Sequence, residues 1–535
     1  MSVETSPWLA GLSAVQHQVA TYASGPQLVT AGPGSGKTRT LCAWIVERIA
    51  SQKAQPEEIV AVTFTRRSAQ ELTERLSTLL GPRAQRLMVG TFHRLAILVA
   101  PLLPSQHVVD EAERLALIEQ ALVGSGCRKS ASSLASLISL RKGQHPDYPQ
   151  RLPVGELDLS PEELQVLRRY EQLLGDAEAV DLDDLLLRAL VVLKTDAVRR
   201  RFRFVAVDEY QDVSAVQRAM TVALGQAAQV LAIGDPDQAI YAFRGGEVRH
   251  FRGFLDDFPS AVSRFLVENH RSTPQIVRAA AAVIAHNSAR SAPSPVPKCP
   301  SGEPIILWRS DSPFAEAQRV VKEIERLIGG TSLLAYDTGQ SASWQPGGYG
   351  FADVAILTRT VARADSLAKA LGESGLPFTR PSVKRKRAEA EPQQPVLEPT
   401  YESDHLEDQR LALLTLHGAK GLEFAVVFLV GLEAGQLPGP GRSDEEREEE
   451  RRLFFVGMTR AKERLYLSYV DSGLATHGSA RGESGPSPFL SEVPAALTVV
   501  QAAPKKRVPK PNARTRPRAA SSPPSATRFV RRSMA

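Results

Sequence analysis

The chain has 535 residues, 43% of them hydrophobic, which is enough for two to four domains with buried cores. Its net charge of +6 and isoelectric point near 9.2 favour a polyanionic partner. The charge is uneven, because residues 499–535 contain ten Lys or Arg and no acidic residue, which leaves a net charge of −4 on the rest. Three widely separated cysteines, Cys42, Cys127 and Cys299, exclude a disulfide framework and a CxxC metal site.

Targeting and membrane signals are not evident in the sequence. The N-terminal residues lack a basic region followed by an apolar run, as a signal peptide would have. No apolar stretch reaches the roughly 18 residues that suggest a membrane span. We therefore expect a cytoplasmic protein with no membrane partner.

A glycine-rich loop follows the apolar run of residues 28–30 and precedes a helical pattern that starts near Arg39. Strand, loop and helix in this order are typical of a phosphate-binding loop, in which backbone N–H groups and the helix N-terminus surround phosphates. Lys37 would contact the outer phosphates and Thr38 would hold Mg²⁺. The alternative is a glycine-rich loop before an ordinary helix. The predicted loop residues are Ala31, Gly32, Pro33, Gly34, Ser35, Gly36, Lys37, Thr38 and Arg39.

Ahead of this loop, Ser13 is expected to be a helix N-cap. Gln16 follows, and its side-chain amide can both donate to and accept from an adenine edge. A surface glutamine without a ligand is the alternative for this residue. Further along, polar and aromatic clusters follow two strand-like runs, at Thr63-Phe64 and at His93. Each cluster is well placed for a ligand at a strand end, or packs within its own loop.

Residues 101–200 have apolar residues at helical spacing and are predicted to form a helical insertion. Asp181, Asp183 and Asp184 lie near its end. Three neighbouring acids invite comparison with a metal site, but helix capping and structural contacts are the favoured interpretation.

The strand-like run of residues 204–207 leads into Asp208 and Glu209. A carboxylate here can hold Mg²⁺, and a second can orient and deprotonate the attacking water. The next strand leads to Gln238, a candidate γ-phosphate sensor. Tyr241 and Phe243, with Arg244 beside them, suit stacking on unpaired bases, and Arg271 is a candidate second cation for the phosphates.

A second α/β unit is expected after a Pro- and Ser-rich connection. Its predicted strands are residues 305–307, 354–357, 411–415, 425–430 and 465–469. Ser443 and Glu446 form a capping-box pattern that opens a charged helix. Arg460 follows in a turn of small residues, and guanidinium groups delivered from another domain often stabilise charge in phosphoryl transfer.

Eight stretches in this order resemble the motifs of the UvrD/Rep/PcrA group of superfamily 1 DNA helicases. They extend from Leu12 to about Tyr469 and read AGPGSGKT, TFTRRSAQEL, GTFHRL, VDEYQD, GDPDQAIYAFRGGE, ENHRST, TLHGAKGLEF and VGMTRAKERLYL. The resemblance implies an α/β fold with two RecA-like P-loop motor domains, parallel sheets, and ATP in the cleft between the domains. We predict this order: residues 1–100 and 201–285 form the first motor domain (1A), 101–200 a 1B-like insertion, 286–380 and 411–498 the second motor domain (2A), 381–410 a charged linker, and 499–535 a disordered basic tail.

The resemblance also implies roles for individual residues. For the nucleotide these are adenine recognition by Gln16, phosphate and Mg²⁺ contacts by Lys37 and Thr38, a Mg²⁺ carboxylate at Asp208, the base Glu209, the sensor Gln238, the arginines Arg271 and Arg460, and a ribose contact by Glu423. For single-stranded DNA they are channel positions at Phe64, His93, Tyr241, Phe243 and His417, to which we add the neighbours Thr63 and Arg244. Phe243 stands where the family more often has Trp, so we expect weaker stacking there.

The chain departs from the family pattern in one large segment, the subdomain called 2B, which contacts duplex DNA in the family. There, this helical subdomain is inserted ahead of the TLHGAKGLEF motif, whereas here only the 33 residues 378–410 occupy that position. The resemblance implies an ATP- and Mg²⁺-dependent 3′–5′ helicase or translocase acting on single-stranded DNA and on junctions with duplex, in repair, recombination or replication restart. The alternative is a DNA-stimulated ATPase switch, or protein-displacement factor, without processive unwinding. RNA is a disfavoured substrate, and the tail could tether the protein to phosphates, recruit a loading partner or serve solubility.

Overall fold

The computed structural model describes residues 6–148, 157–242, 245–288, 290, 292–329, 348–380, 409–471 and 485–501. Two α/β units are each built around an all-parallel sheet, and a helical insertion interrupts the first. The predicted fold class is therefore confirmed. Within these residues, no helix is both long enough and apolar enough to cross a membrane.

The first unit starts with alternating strands and helices. Its first two strands, residues 27–31 and 59–63, are mainly apolar and buried along their length, as expected for a parallel sheet covered on both faces. The elements are α1 (Ala14–Thr21), β1 (Gln27–Ala31), α2 (Lys37–Ala50), β2 (Ile59–Thr63), α3 (Arg66–Leu80), β3 (Met88–Thr91) and α4 (Phe92–Val99).

The insertion follows α4 and has a small core of its own, in which Ile118, Ile138, Val166 and Tyr170 are buried. Its last long helix packs on the first unit and thereby fixes the insertion to it. The elements are β4 (His107–Val108), α5 (Glu111–Leu122), α6 (Ala131–Gln144), α7 (Pro161–Asp176), β5 (Ala179–Val180), α8 (Leu182–Leu193) and α9 (Asp196–Arg199).

The first sheet is then completed in the order β3-β2-β6-β7-β1-β8. Because all its strands are parallel, their carboxyl ends meet at one edge, where ligands bind in such sheets. The elements are β6 (Phe204–Val207), α10 (Ala215–Gly225), β7 (Gln229–Gly234), α11 (Val248–Arg252), α12 (Phe254–Asp257) and β8 (Val262–Leu266).

The chain crosses to the second unit earlier than predicted. The elements here are β9 (Glu268–Asn269), α13 (Pro274–Ile284) and β10 (Val296–Pro297). The predicted first domain runs to residue 285, but Ile276 and Val283 of α13 are buried in the core of the second sheet. The boundary therefore falls before Pro274, because the apolar face of α13 covers the second sheet.

The second sheet has the order β13-β14-β12-β15-β16-β11-β17. The five strands predicted for this unit are present. The elements are β11 (Ile305–Ser310), α14 (Pro313–Ile328), β12 (Val354–Thr358), α15 (Val361–Glu373), β13 (Phe378–Thr379), β14 (Leu411–Thr415), β15 (Phe424–Val430), α16 (Asp444–Met458), β16 (Ala461–Val470) and β17 (Thr498–Gln501).

The start of the predicted tail also needs correction. Residues 499–501 belong to β17, which pairs with β11 at the edge of the second sheet. Pairing with β11 holds these residues in the sheet. The charge pattern from which the tail was predicted carries no information about strand pairing. The rest of the predicted tail, and residues 381–408 of the predicted linker, lie outside the described residues.

The acids of the insertion serve structural contacts, as favoured. Asp181 caps α8 in a capping box with Asp184, and no group of three potential metal ligands occurs among the described residues. Lys142 is 1% exposed, and its Nζ lies 2.9 Å from Asp181, 2.8 Å from Asp184 and 2.6 Å from Glu171. One buried ammonium therefore compensates three carboxylates from two helices.

The Lys142→Met substitution is expected to destabilise the insertion by about 3–5 kcal/mol, because the carboxylates lose their buried counter-charge. Urea unfolding followed by circular dichroism measures the effect. Lys194→Met is the matched control, since Lys194 lies 3.6 Å from Asp147 with both side chains more than half exposed. Equal urea midpoints for the two variants would refute the structural role of Lys142.

Candidate nucleotide and DNA site

The glycine-rich loop connects the end of β1 to the first turn of α2. Gly34 and Gly36 have left-handed φ angles of 63° and 79°, which glycine adopts without strain. The Ser35 Oγ donates to the Gly32 carbonyl at 2.7 Å and closes the turn. Lys37 and Thr38 then begin α2, so the backbone N–H groups of a helix N-terminus lie beside both side chains.

Of the other predicted loop residues, Ala31 and Pro33 are buried and Arg39 is exposed. Ala31 is the last residue of β1, and Arg39 Nη2 donates to the Ala10 carbonyl at 2.8 Å. This bond ties the segment before α1 to α2.

Gln16 lies against the loop. Ser13 caps α1 as predicted, and its N–H donates to Gln16 Oε1 at 2.9 Å. Gln16 Nε2 donates to the Ser35 carbonyl at 2.9 Å, and the residue is 5% exposed. Arg48, which is fully buried, donates to the Ala20 carbonyl at 2.7 Å at the other end of α1. Together these contacts fix α1, and with it Gln16, beside the loop.

Residues 269–273 connect the loop to the second unit. Asn269 Nδ2 donates to the Pro33 carbonyl at 2.7 Å, and the His270 N–H donates to the Gly34 carbonyl at 2.9 Å. Arg271 Nη2 lies 2.6 Å from Glu423 Oε2 in the second unit. The predicted Arg271 and Glu423 are therefore direct partners beside the glycine-rich loop.

Asp208 and Glu209 lie at the carboxyl end of β6. Lys37 Nζ is 3.6 Å from Glu209 Oε1, and Glu209 has a left-handed φ of 52°, an unusual conformation that concentrates at functional sites. Burial and the adjacent Glu209 raise the pKa of Asp208 to about 7. Burial also opposes ionisation of Glu209, but Lys37 and Lys420 lower its pKa to about 2.

The oxygen donors fit a magnesium ion. Thr38 supplies a hydroxyl, and the Asp208 carboxylate is 9% exposed. No cationic side chain in the described part of the chain lies within salt-bridge distance of Asp208, and Lys37 only partly offsets the effect of burial and of Glu209 on its pKa. A small number of protein ligands is enough for Mg²⁺, because the ion keeps several waters and takes its other ligands from substrate phosphates.

Arg460 reaches across from the second unit. It follows α16, is 2% exposed, and its Nη2 donates to Gln238 Oε1 at 2.8 Å. Its other donors contact the carbonyls of Val456 at 2.9 Å and Leu422 at 3.1 Å. Burial and the nearby cation Arg271 lower the pKa of Arg460 to about 9. Two cations therefore lie together beside the candidate γ-phosphate sensor.

Lys420 is a residue that the sequence analysis missed. Its Nζ donates to the Gln238 carbonyl at 2.8 Å and forms an ion pair with Asp212 of the first unit. It also lies 4.8 Å from the centre of the Tyr241 ring. Its position in the TLHGAKGLEF stretch was the only available signal, and nothing in that stretch names its partners.

The predicted DNA residues occupy strand ends. Phe64, which follows Thr63 at the end of β2, stacks on Tyr241 with ring centres 4.9 Å apart and planes at 22°. His93 is in the first turn of α4, and His417 follows β14. Phe243 and Arg244 lie outside the described residues. The structure thus brings two of the predicted aromatic residues, Phe64 and Tyr241, into a stack.

Thr63 is almost fully buried at 1% exposure. Its hydroxyl has no hydrogen-bond partner among the residues that the structure describes. Thr63 is therefore not exposed at the surface, although a DNA contact is expected there from the sequence.

Two family models match the chain. The UvrD/REP helicase N-terminal domain matches residues 12–259, and the UvrD-like helicase C-terminal domain matches residues 265–385 and 394–472. The helicase UvrD2 of Mycobacterium tuberculosis is 31% identical, with 92% of this chain and 83% of the relative aligned. The chain belongs to the UvrD/REP helicase family.

Other members of this family are similar over comparable lengths. The ATP-dependent DNA helicase PcrA of Bacillus subtilis is 26% identical over 92% of this chain and 87% of its own. A probable DNA helicase II homolog of Rickettsia conorii is 26% identical over 94% of this chain and 99% of its own. The similarity therefore spans both α/β units and is not confined to the phosphate-binding loop.

The Gly34→Ala substitution is expected to destabilise the nucleotide-free protein by about 1–3 kcal/mol. A Cβ at Gly34 would lie 2.5 Å from Arg271 Cβ and 3.2 Å from its backbone nitrogen, at a left-handed φ. Gly32→Ala is the control, because a Cβ there meets no atom within 4 Å. Differential scanning fluorimetry compares the two variants, and equal melting temperatures would contradict the close packing of residues 269–271 on the loop.

Proposed function

We propose that this protein is an ATP-dependent DNA helicase or translocase that moves 3′ to 5′ on single-stranded DNA, with a role in repair, recombination or replication restart. The observation that carries the proposal is the bond from Arg460 of the second unit to Gln238, three residues before Tyr241. A nucleotide-sensing contact and a DNA-facing aromatic ring thus share one short segment. The names of the relatives support the activity and the substrate.

ATP would bind between the units. Its phosphates would take the place that the loop backbone, Lys37 and Thr38 surround, its base would meet Gln16, and its ribose would meet Glu423. Mg²⁺, held by Thr38 and Asp208, would neutralise charge that develops on the phosphates. Burial of the site strengthens each of these electrostatic contacts.

Glu209 would orient and deprotonate the attacking water. Lys37 lies 3.6 Å from Glu209 and helps to keep its pKa low. When Lys37 turns to the phosphates of ATP, Glu209 loses part of this partner and its basicity rises. Base strength is in this way linked to occupancy of the site by substrate.

Closure of the cleft would follow from charge. Burial and the neighbouring cation Arg271 lower the pKa of Arg460. The γ-phosphate supplies the missing negative charge, so ATP favours the arrangement in which both arginines reach it. Hydrolysis and phosphate release remove that charge, and the units separate.

DNA would be held by stacking. Phe64 and Tyr241 already face each other across 4.9 Å, and bases stack on such aromatic rings without sequence preference. A change in the Phe64–Tyr241 spacing would release one base and admit the next. Successive cycles would move the protein along the strand.

Engagement of the duplex is a separate question. The alignment with PcrA is 648 residues long although only 92% of this 535-residue chain enters it, so it contains long gaps in this chain. This supports the absence of a 2B-like subdomain. It also favours a second candidate, a DNA-stimulated ATPase that displaces proteins or acts as a switch without processive unwinding, loaded by a partner that the basic tail recruits.

The Lys37→Ala substitution is expected to reduce DNA-stimulated ATPase activity by about 100-fold or more, because phosphate contact and charge are lost together. Binding of single-stranded DNA, measured by fluorescence anisotropy, should stay within about twofold, since Lys37 is not part of the Phe64–Tyr241 stack. Lys53→Ala, an exposed lysine just beyond α2, is the control. ATP turnover at the wild-type rate in the Lys37 variant would disprove the site assignment.

Partial duplexes with a 3′ or a 5′ single-stranded tail test polarity and unwinding in the wild-type protein. The proposed function predicts ATP-dependent strand displacement from the 3′-tailed substrate alone. ATP hydrolysis without displaced strand favours the switch, and displacement from the 5′-tailed substrate contradicts the proposed direction. Stimulation by RNA equal to that by DNA would contradict the substrate class.

A further inference from the structure

Helix α16 of the second unit holds the segment that leads from Gln238 to Tyr241. Arg452 Nε donates to the Ala239 carbonyl at 2.9 Å, and Glu449 Oε1 accepts from the Ala242 N–H at 3.2 Å. Both contacts are to backbone atoms, one on each side of the Ile240–Tyr241 pair. Neither residue is assigned a role by the nucleotide or DNA contacts described above.

Apolar packing attaches the same segment to the second unit. Ile240 is fully buried, and its neighbours in the core include Leu453 and Phe454 of α16. Residues 449, 452 and 453 lie on one side of the helix by their spacing of three and four. Side-chain hydrogen bonds and core packing therefore fix residues 239–242 to α16, although they follow a strand of the first sheet.

Gln238, in contrast, is attached to both units. Arg460 and Lys420 of the second unit donate to its side-chain and backbone oxygens, and it also bonds to Asp235 of the first unit. Gln238 Nε2 donates to Asp235 Oδ2 at 2.5 Å, and its N–H donates to the Asp235 carbonyl at 2.9 Å. The N–H of Asp235 donates in turn to Gln211 Oε1 at 2.8 Å. Contacts from α16 to the backbone therefore begin directly after Gln238, at Ala239.

Phe64 belongs to the first unit, because it directly follows β2. The stack of Phe64 on Tyr241 thus joins a ring carried by the first unit to a ring held by the second. Any rotation of the second unit changes the spacing between the two rings. Arg460, which follows α16, belongs to the second unit and would contact the nucleotide, so the same rotation would also move Arg460.

We propose that Arg452 and Glu449 form a backbone clamp that makes Tyr241 move with α16, so that nucleotide-driven motion of the second unit opens and closes the Phe64–Tyr241 gap. The inference rests on the proposed function and adds positioning residues to it. Arg452 and Glu449 contact neither nucleotide nor DNA in this role. They set where Tyr241 lies in each state of the cleft.

The test compares Arg452→Ala with wild type and with Arg447→Ala, an exposed arginine on the same helix. The Arg452 variant should keep DNA-independent ATPase activity within about twofold and lose about 10-fold or more of the stimulation by single-stranded DNA. Arg452→Lys, which keeps one donor, should recover part of the stimulation, and Arg447→Ala should behave as wild type.

A spectroscopic measurement separates the clamp from a general structural role. Single-stranded DNA with one 2-aminopurine reports stacking, and in wild type its fluorescence should change when a non-hydrolysable ATP analogue is added. Arg452→Ala and Glu449→Ala should bind this DNA and lose the nucleotide-dependent change. Glu449→Gln, which keeps an acceptor oxygen, should retain it.

Three outcomes would overturn the clamp. They are wild-type stimulation in Arg452→Ala, an equal loss of basal and stimulated activity, and an unchanged fluorescence response in both alanine variants. Failure of the proposed function looks different, because the wild-type protein itself would then show no stimulation by DNA. If Arg452→Ala does not fold, Glu449→Ala and its glutamine counterpart decide the matter.

Discussion

The hydrogen bond from Arg460 to Gln238 joins the two α/β units at the point where the proposed nucleotide and DNA contacts meet. Arg460 is almost completely buried, so its orientation is set by the Val456 and Leu422 carbonyls as well as by Gln238. A buried guanidinium that loses one of its acceptors is costly unless another anion replaces it. The γ-phosphate of ATP is such an anion. Exchange of one acceptor for the other is the physical basis of the proposed cycle.

Electrostatics at the cleft is unbalanced without substrate. Burial and the adjacent Glu209 raise the pKa of Asp208, while burial and the nearby Arg271 lower the pKa of Arg460. In the proposed function, a magnesium nucleotide would supply a cation to Asp208 and an anion to Arg460. These two groups would therefore be placed in advance for the charges of a magnesium nucleotide. The binding energy of that nucleotide could then drive movement of the two units.

The local elements of the site could be predicted from the sequence, because each depends on a short pattern. The loop before Lys37, the N-cap at Ser13 and the strand before Asp208 are examples. Contacts between distant parts could not be predicted. The pairing of Lys420 with Asp212 and the burial of Ile240 in the core of the other unit depend on how two sheets meet, which no local spacing encodes. The same reason explains the early crossing at α13 and the strand β17 inside the predicted tail.

The link between nucleotide and DNA through Arg460 is tested most directly by the affinity for single-stranded DNA, with and without a saturating non-hydrolysable ATP analogue. Fluorescence anisotropy on wild type and Arg460→Ala, with analogue binding verified by calorimetry, provides the comparison. The account predicts that the analogue changes the wild-type dissociation constant by about 10-fold and that of the variant by less than about twofold. An Arg460→Ala protein that binds the analogue and shows the full wild-type change would contradict it.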